Sequence, residues 1–149
     1  MHVNLEVVTI PVSDVDKALE FYRERLGWRL DADINAGPFR IVQLTPTGDG
    51  HTSIAFGSGI PSAAPGSARH LELVTSDIVA TRDELAERGV NITEVFHGPG
   101  AVFRPEARIS GVDPDHDSYT SYATFEDPDG NGWTLQQIKT RLPGREPTA

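Results

Sequence analysis

One module is written twice in this chain. VVTIPVSDVDKALEFYRERLG, from Val7 to Gly27, is echoed by HLELVTSDIVATRDELAERG, from His70 to Gly89. In each copy an alternating apolar/polar run, the two-residue period of a strand, leads into a Ser-Asp pair. An amphipathic helix follows, and a glycine suited to a left-handed C-terminal cap closes it. Superposing Asp14 on Asp77 sets Val7 over His70 and Thr9 over Glu72. A duplication of this size predicts two small modules that share one concave surface, the natural place for a ligand.

In the first copy Ser13 is the expected N-cap, and Asp14 and Asp16 put negative charge at the positive end of the helix. Val15, Ala18, Leu19, Tyr22 and Leu26 recur at helical spacing. Ser76 and Asp77 start the second helix, and Ile78, Leu85 and Ala86 form its apolar stripe. Short strand-like runs follow each helix: Trp28 to Ile34, Phe39 to Thr45 and Thr52 to Gly57, then Asn91 to Phe96, Ser121 to Phe125 and Trp133 to Lys139. Turn-forming clusters precede the last strand of each set, Gly48-Asp49-Gly50 and Asp127-Pro128-Asp129-Gly130-Asn131-Gly132. Each half therefore reads βαβββ, and the fold class is α+β. The reading is a single domain over 1–139, made of modules 1–57 and 68–139. A linker at 58–67 joins them, and a loose tail occupies 140–149. The long 97–120 stretch inside the second module has the character of a lid or binding loop.

Composition excludes several partners. A formal charge of −9 and a pI near 4.9 oppose nucleic acid and anionic membranes. Absence of Cys removes disulfides and thiolate metal sites. No basic segment followed by an apolar run opens the sequence, so a cytoplasmic location is the expectation.

IPVSDVDKALEFYRERLGW near one end and DPDGNGWTLQQI near the other resemble the vicinal oxygen chelate group, the glyoxalase/bleomycin resistance/dioxygenase superfamily. The resemblance spans about Val3 to Ile138. It implies a cupped, mostly antiparallel sheet with helices outside and a cavity within. It also implies a homodimer, with modules closing on each other either within one chain or across two. Metal-dependent relatives hold a divalent cation on His and Glu side chains, where it acts as a Lewis acid on two neighbouring substrate oxygens. Carried onto this chain, those positions fall on Val7, Ile54, His70 and Thr134, with Ile54 placed by matching Gly50 to Gly130. Only His70 is a good metal ligand there, so no cofactor is expected. The alternative is a divalent metal in a rebuilt site drawn from His70, Glu72 and His116. Asp113-Pro114-Asp115-His116-Asp117 has the spacing of a calcium loop but lacks the glycine and the closing glutamate of an EF-hand.

His70 and Glu72 lie two apart on one strand and are the candidate catalytic acid/base pair. Arg40 or Arg69 is the candidate partner for Glu72. Val7, Thr9, Ile54, Phe56, Gln136 and Tyr122 are the candidate ligand-binding residues, Phe56 being set beside Ile54 by its alignment with Gln136. Phe21, Tyr22, Phe125 and Trp133 fit a core. These assignments describe a cavity for a small, partly apolar molecule with a polar end near His70, Glu72 and Gln136. The resemblance implies sequestration of a compound, as in the bleomycin-resistance branch. Its competitors are an isomerase, lyase or dioxygenase-type enzyme and a scaffold kept for protein contacts.

Overall fold

Val7, Val8 and Thr9 form a short strand, β1 (Val7–Thr9), and the chain then turns into α1 (Val15–Leu19). Asp14, not Ser13, caps this helix: its carboxylate accepts the Lys17 N–H. Ser13 is occupied elsewhere, since its hydroxyl donates to Asp129 Oδ1 at 2.5 Å. From Glu20 to Arg25 the helix widens to an i→i+5 pitch, and it ends at Gly27 with φ of 74°. Three further strands complete the first module, β2 (Arg29–Ala36), β3 (Phe39–Thr45) and β4 (Ser53–Ser58).

The second module repeats the plan with β5 (Leu71–Thr75) and α2 (Ile78–Glu87), capped by Asp77 accepting the Ala80 N–H. It continues through β6 (Phe96–His97), β7 (Ile109–Ser110), β8 (Ser121–Glu126) and β9 (Gly132–Gln137). The expected strand over Asn91 to Phe96 is irregular until its last residue. Its carbonyls are taken from α2: the Arg82 guanidinium donates to Thr93 O at 3.0 Å and to Ile92 O at 3.3 Å. The segment still touches β8, the Thr93 N–H donating to Thr124 O and the Thr93 hydroxyl accepting the Thr124 N–H, but regular pairing with β8 is confined to Phe96 and His97.

This computed structural model describes residues 1–145. Two α+β units emerge. The first comprises Met1–Arg69 with Glu126–Gly132, and the second His70–Phe125 with Trp133 onward. In the first unit the sheet order is β1-β4-β3-β2, with β1 parallel to β4 and the remaining pairs antiparallel. The second unit's order is β5-β9-β8-β6-β7, with β5 parallel to β9. Each helix covers one face of its own sheet. Tyr22, fully buried, packs against Trp28 and Phe56 with ring centroids 5.4 and 5.7 Å away. Ile78, also fully buried, has its N–H bound by the Gln137 side chain, and Phe125 stacks on Trp133.

The Asp127–Asn131 turn is a buried clasp of the first unit. The Asp127 carboxylate accepts the Tyr22 hydroxyl at 2.7 Å, the Asn131 side-chain amide at 2.8 Å and the backbone N–H groups of Asp129 and Asn131. Asn131 also donates to Pro11 O and accepts the Ala68 N–H. Of the segment expected as a loose tail, residues 146–149 lie outside the described residues. The part before them is tied down: Ser118 Oγ accepts the Lys139 and Thr140 N–H groups, and Tyr119 Oη accepts that of Leu142.

Candidate functional site in the second unit

Side chains that face away from α2 define the site. Register pairs Glu72 with Thr134 and Val74 with Gln136, and paired residues of neighbouring strands share a face. His70 sits just before β5 in a left-handed conformation, φ 55°, which a non-glycine residue adopts at a cost. Its Nδ1 lies 3.3 Å from Thr134 Oγ1. A cavity of about 420 Å³ opens over this face, lined by His70, Glu72, Gln136, Tyr122, Phe103 and Arg141 among others. Four of the residues expected at a site from sequence, His70, Glu72, Gln136 and Tyr122, are therefore together.

Tyr119 organises the rim. Its backbone is left-handed, φ 72°, which turns its carbonyl to accept both the Gln136 side-chain amide at 3.1 Å and the Tyr122 hydroxyl at 2.6 Å. Those two bonds fix the polar floor. The loop before Tyr119 supplies the roof, because Phe103 meets the His70 ring at 5.3 Å between centroids while remaining 73% exposed. An aromatic ring this exposed is inexpensive to move aside for a guest. On sequence grounds Phe103 within the long loop, and Tyr119 beside it, are candidates with Tyr122 to cover an apolar or aromatic ligand; Arg141 is not expected there.

The remaining four expected residues belong to the first unit. Val7 and Thr9 are exposed on the face of their sheet opposite α1, where register sets them beside Ser53 and Ala55. Ile54 and Phe56 point the other way, into the core beneath α1: Phe56 is fully buried against Tyr22, and Ile54 is 6% exposed. The expectation that these two line a cavity is overturned, and the reason is a slip of one residue. β4 opens three residues after Gly50, whereas β9 opens two after Gly130, so matching the glycines mis-sets the register. A shift of one inverts every side chain. The counterpart of Thr134 is Ala55. The first unit has its own crevice of about 520 Å³, in which Asp31 accepts from Arg29 and from Thr45. Those hydrogen bonds hold the Asp31 carboxyl below the usual range.

A divalent cation does not fit this donor set. Val7 and Ala55 have no donor atom, and Thr134 offers only a hydroxyl beside His70. Among the described residues no three His, Asp or Glu side chains are gathered to hold a metal, so His116 does not join His70 and Glu72. Asp113 spends its carboxylate on its own loop, accepting from Thr120 Oγ1 at 2.7 Å and from the Asp115 and Asp117 N–H groups. The Thr120 bond, then those N–H groups and the charge of His97, hold that carboxyl below its ordinary value. Neither arginine considered for Glu72 reaches it. Arg40 binds Asp33 and Asp16, and Arg69 donates to the carbonyls of Gly66, Ala68 and Gly130. Glu72 is exposed and needs no partner.

Residues 4–135 match the family model described as Glyoxalase/Bleomycin resistance protein/Dioxygenase superfamily. The chain belongs to this superfamily. Among solved structures it is similar to TnmS3, an antibiotic binding protein from Streptomyces sp. CB03234. The two share 33% identity over 93% of this chain and 98% of that one, with a TM-score of 0.68. A glyoxalase/bleomycin resistance protein from the same Streptomyces strain is 34% identical over 88% of this chain and 97% of its own, at a TM-score of 0.63. A superfamily member from Sphaerobacter thermophilus DSM 20745 is 26% identical over 92% and 98%, also at 0.63. No curated protein matches. No helix among the described residues is long and apolar enough to cross a membrane.

Proposed function

We propose that this protein binds a small, partly apolar organic molecule, of the kind an antibiotic binding protein sequesters, in the second-unit cavity and without a metal. The observation that carries the reading is the cavity itself. An exposed aromatic roof, Phe103 on His70, stands over a floor whose polar groups, Gln136 and Tyr122, are already oriented by Tyr119. Its volume, about 420 Å³, is in the range of small-molecule sites. The likeness to TnmS3 supports the same class of ligand. Val7 and Thr9 are proposed as ligand contacts on the first unit, and the protein as a cytoplasmic homodimer, whose subunit number light scattering of the purified chain checks.

A thermal-shift screen against aromatic and antibiotic-like compounds tests the reading, since a ligand that binds only the folded state raises the melting temperature. Hits should be lost in Phe103→Ala, which removes the roof and spares the core. A screen without hits, or hits indifferent to Phe103, contradicts the reading. The left-handed backbone of His70 favours one competitor, acid/base catalysis by His70 and Glu72 on a bound substrate. In that case turnover of a hit compound should collapse in both His70→Ala and Glu72→Ala. Turnover that persists in both removes this alternative.

A further inference from the structure

The chain's formal charge of −9 would suit a cationic guest, yet the cavity contains two guanidiniums, Arg141 and Arg145, against one carboxylate, Glu72. Arg141 is held in place from both sides. Ser118 Oγ accepts the N–H groups of Lys139 and Thr140 at 2.8 and 2.9 Å, and Tyr119 Oη accepts that of Leu142 at 3.0 Å. Beyond it the Arg145 N–H closes a turn on Leu142 O at 2.9 Å, with Gly144 left-handed, and this brings the second guanidinium back to the same cavity. Among the described residues neither arginine has an ion-pair partner. Two guanidiniums whose backbone is held at a cavity wall, with no ion-pair partner among the described residues, are an anion site in form.

We infer that the second-unit cavity selects planar aromatic compounds bearing an acidic group, the ring lying by Phe103 and His70 and the acid on Arg141 and Arg145. This deepens the small-molecule reading and rests on it. Glu72 and the Gln136 carbonyl oxygen then serve a hydroxyl or amine at the other end of the ligand. The net negative charge does not cancel the preference, because charges beyond about 8 Å are screened at physiological salt and the guanidiniums act at contact.

The test uses 2-naphthoate and its neutral isostere 2-naphthamide, titrated by calorimetry into the full chain and into Arg141→Gln, Arg145→Gln and the double variant. A guanidinium–carboxylate hydrogen bond predicts a preference for naphthoate of about tenfold or more. It should shrink towards unity in the double variant while naphthamide affinity is kept. Ser118→Ala, which frees the segment but leaves both charges, should weaken naphthoate alone and guards against a fold defect in the arginine variants. Equal affinity for the two probes, or a preference that survives the double variant, overturns the inference and leaves the small-molecule reading standing. If neither probe binds while the thermal screen yields neutral or cationic ligands, the inference alone falls. If the screen is also empty, both fall.

Discussion

Tyr22→Phe removes one oxygen from the middle of the first unit and isolates what the Asp127 clasp contributes. Tyr22 and Asn131 are fully buried, and Asp127 is 5% exposed. The lost bond is a hydroxyl-to-carboxylate contact of 2.7 Å, and hydrogen bonds to charged groups contribute about 1.5–3 kcal/mol. Asp127 keeps three other donors after the change, so the cost should fall near the lower end of that range. For a chain of this length that lowers the melting temperature by roughly 3–6 °C. Asp127→Ala is a different perturbation. It removes the acceptor of four bonds at once, from the Tyr22 hydroxyl, the Asn131 amide and two backbone N–H groups, and should cost about 3–5 kcal/mol. Urea denaturation of both single variants and the double variant closes the cycle. In the Asp127→Ala background Tyr22→Phe should cost much less, because the carboxylate that the hydroxyl binds is already gone. If Tyr22→Phe costs the same in both backgrounds, the two side chains are not coupled and the clasp is misread.

Three further outcomes follow from the same structure. The Arg40 guanidinium holds the Asp33 carboxyl below the ordinary range, so its folded value lies under the unfolded value of about 3.9. The resulting stability is present above that pH and is lost as pH falls through the folded value. Asp33→Asn should therefore lower the urea midpoint at pH 7 and have little effect near pH 2. A difference constant across that span refutes the pairing. Dialysis against a chelator, or addition of millimolar calcium, should leave the melting temperature unchanged, because Asp113 is satisfied within its loop; a shift of several degrees with calcium contradicts this. Gly57→Ala should destabilise by about 1–3 kcal/mol, since a Cβ there would meet Arg40 O at 1.9 Å. An Ala variant with wild-type stability would show that the strand yields more easily than its geometry indicates.

Local signals were legible where local physics decides. The helix starts, the glycines at 27 and 89, the core places of Tyr22, Phe125 and Trp133 and the order of the main strands follow from periodicity and turn chemistry within a few residues. Phe21, by contrast, is only half-buried, and the long loop adds the short strand β7. Misreadings arose where a distant group intervened. Ser13 looked like the better cap, but Asp129, more than a hundred residues away, takes its hydroxyl and leaves the cap to Asp14. Asn91 to Val95 looked like a strand, but Arg82 claims its carbonyls from the helix. The first pair spans 116 residues; the second spans only ten or eleven, but a side chain reaching across from a helix leaves no periodic signal.

The site shows the same division more sharply. Glu72, Gln136 and Tyr122 come together because β5, β8 and β9 keep the alternation that sequence displays, and His70, left-handed just before β5, joins them beside Thr134. Ile54 and Phe56 were misplaced by the length of one turn, a quantity that a repeat with unequal loops does not conserve. The arginines escaped notice for another reason. Their segment is polar and turn-rich, the composition of a free end, and its position depends on a single serine hydroxyl and a single tyrosine hydroxyl. Both anchors belong to the loop that also presents the carbonyl fixing Gln136 and Tyr122. Residues Ser118 and Tyr119 thus set the floor and the charged wall of the cavity together. A change at Tyr119 should alter ligand shape preference and charge preference at once, whereas a change at Ser118 or in the arginines should alter only the second.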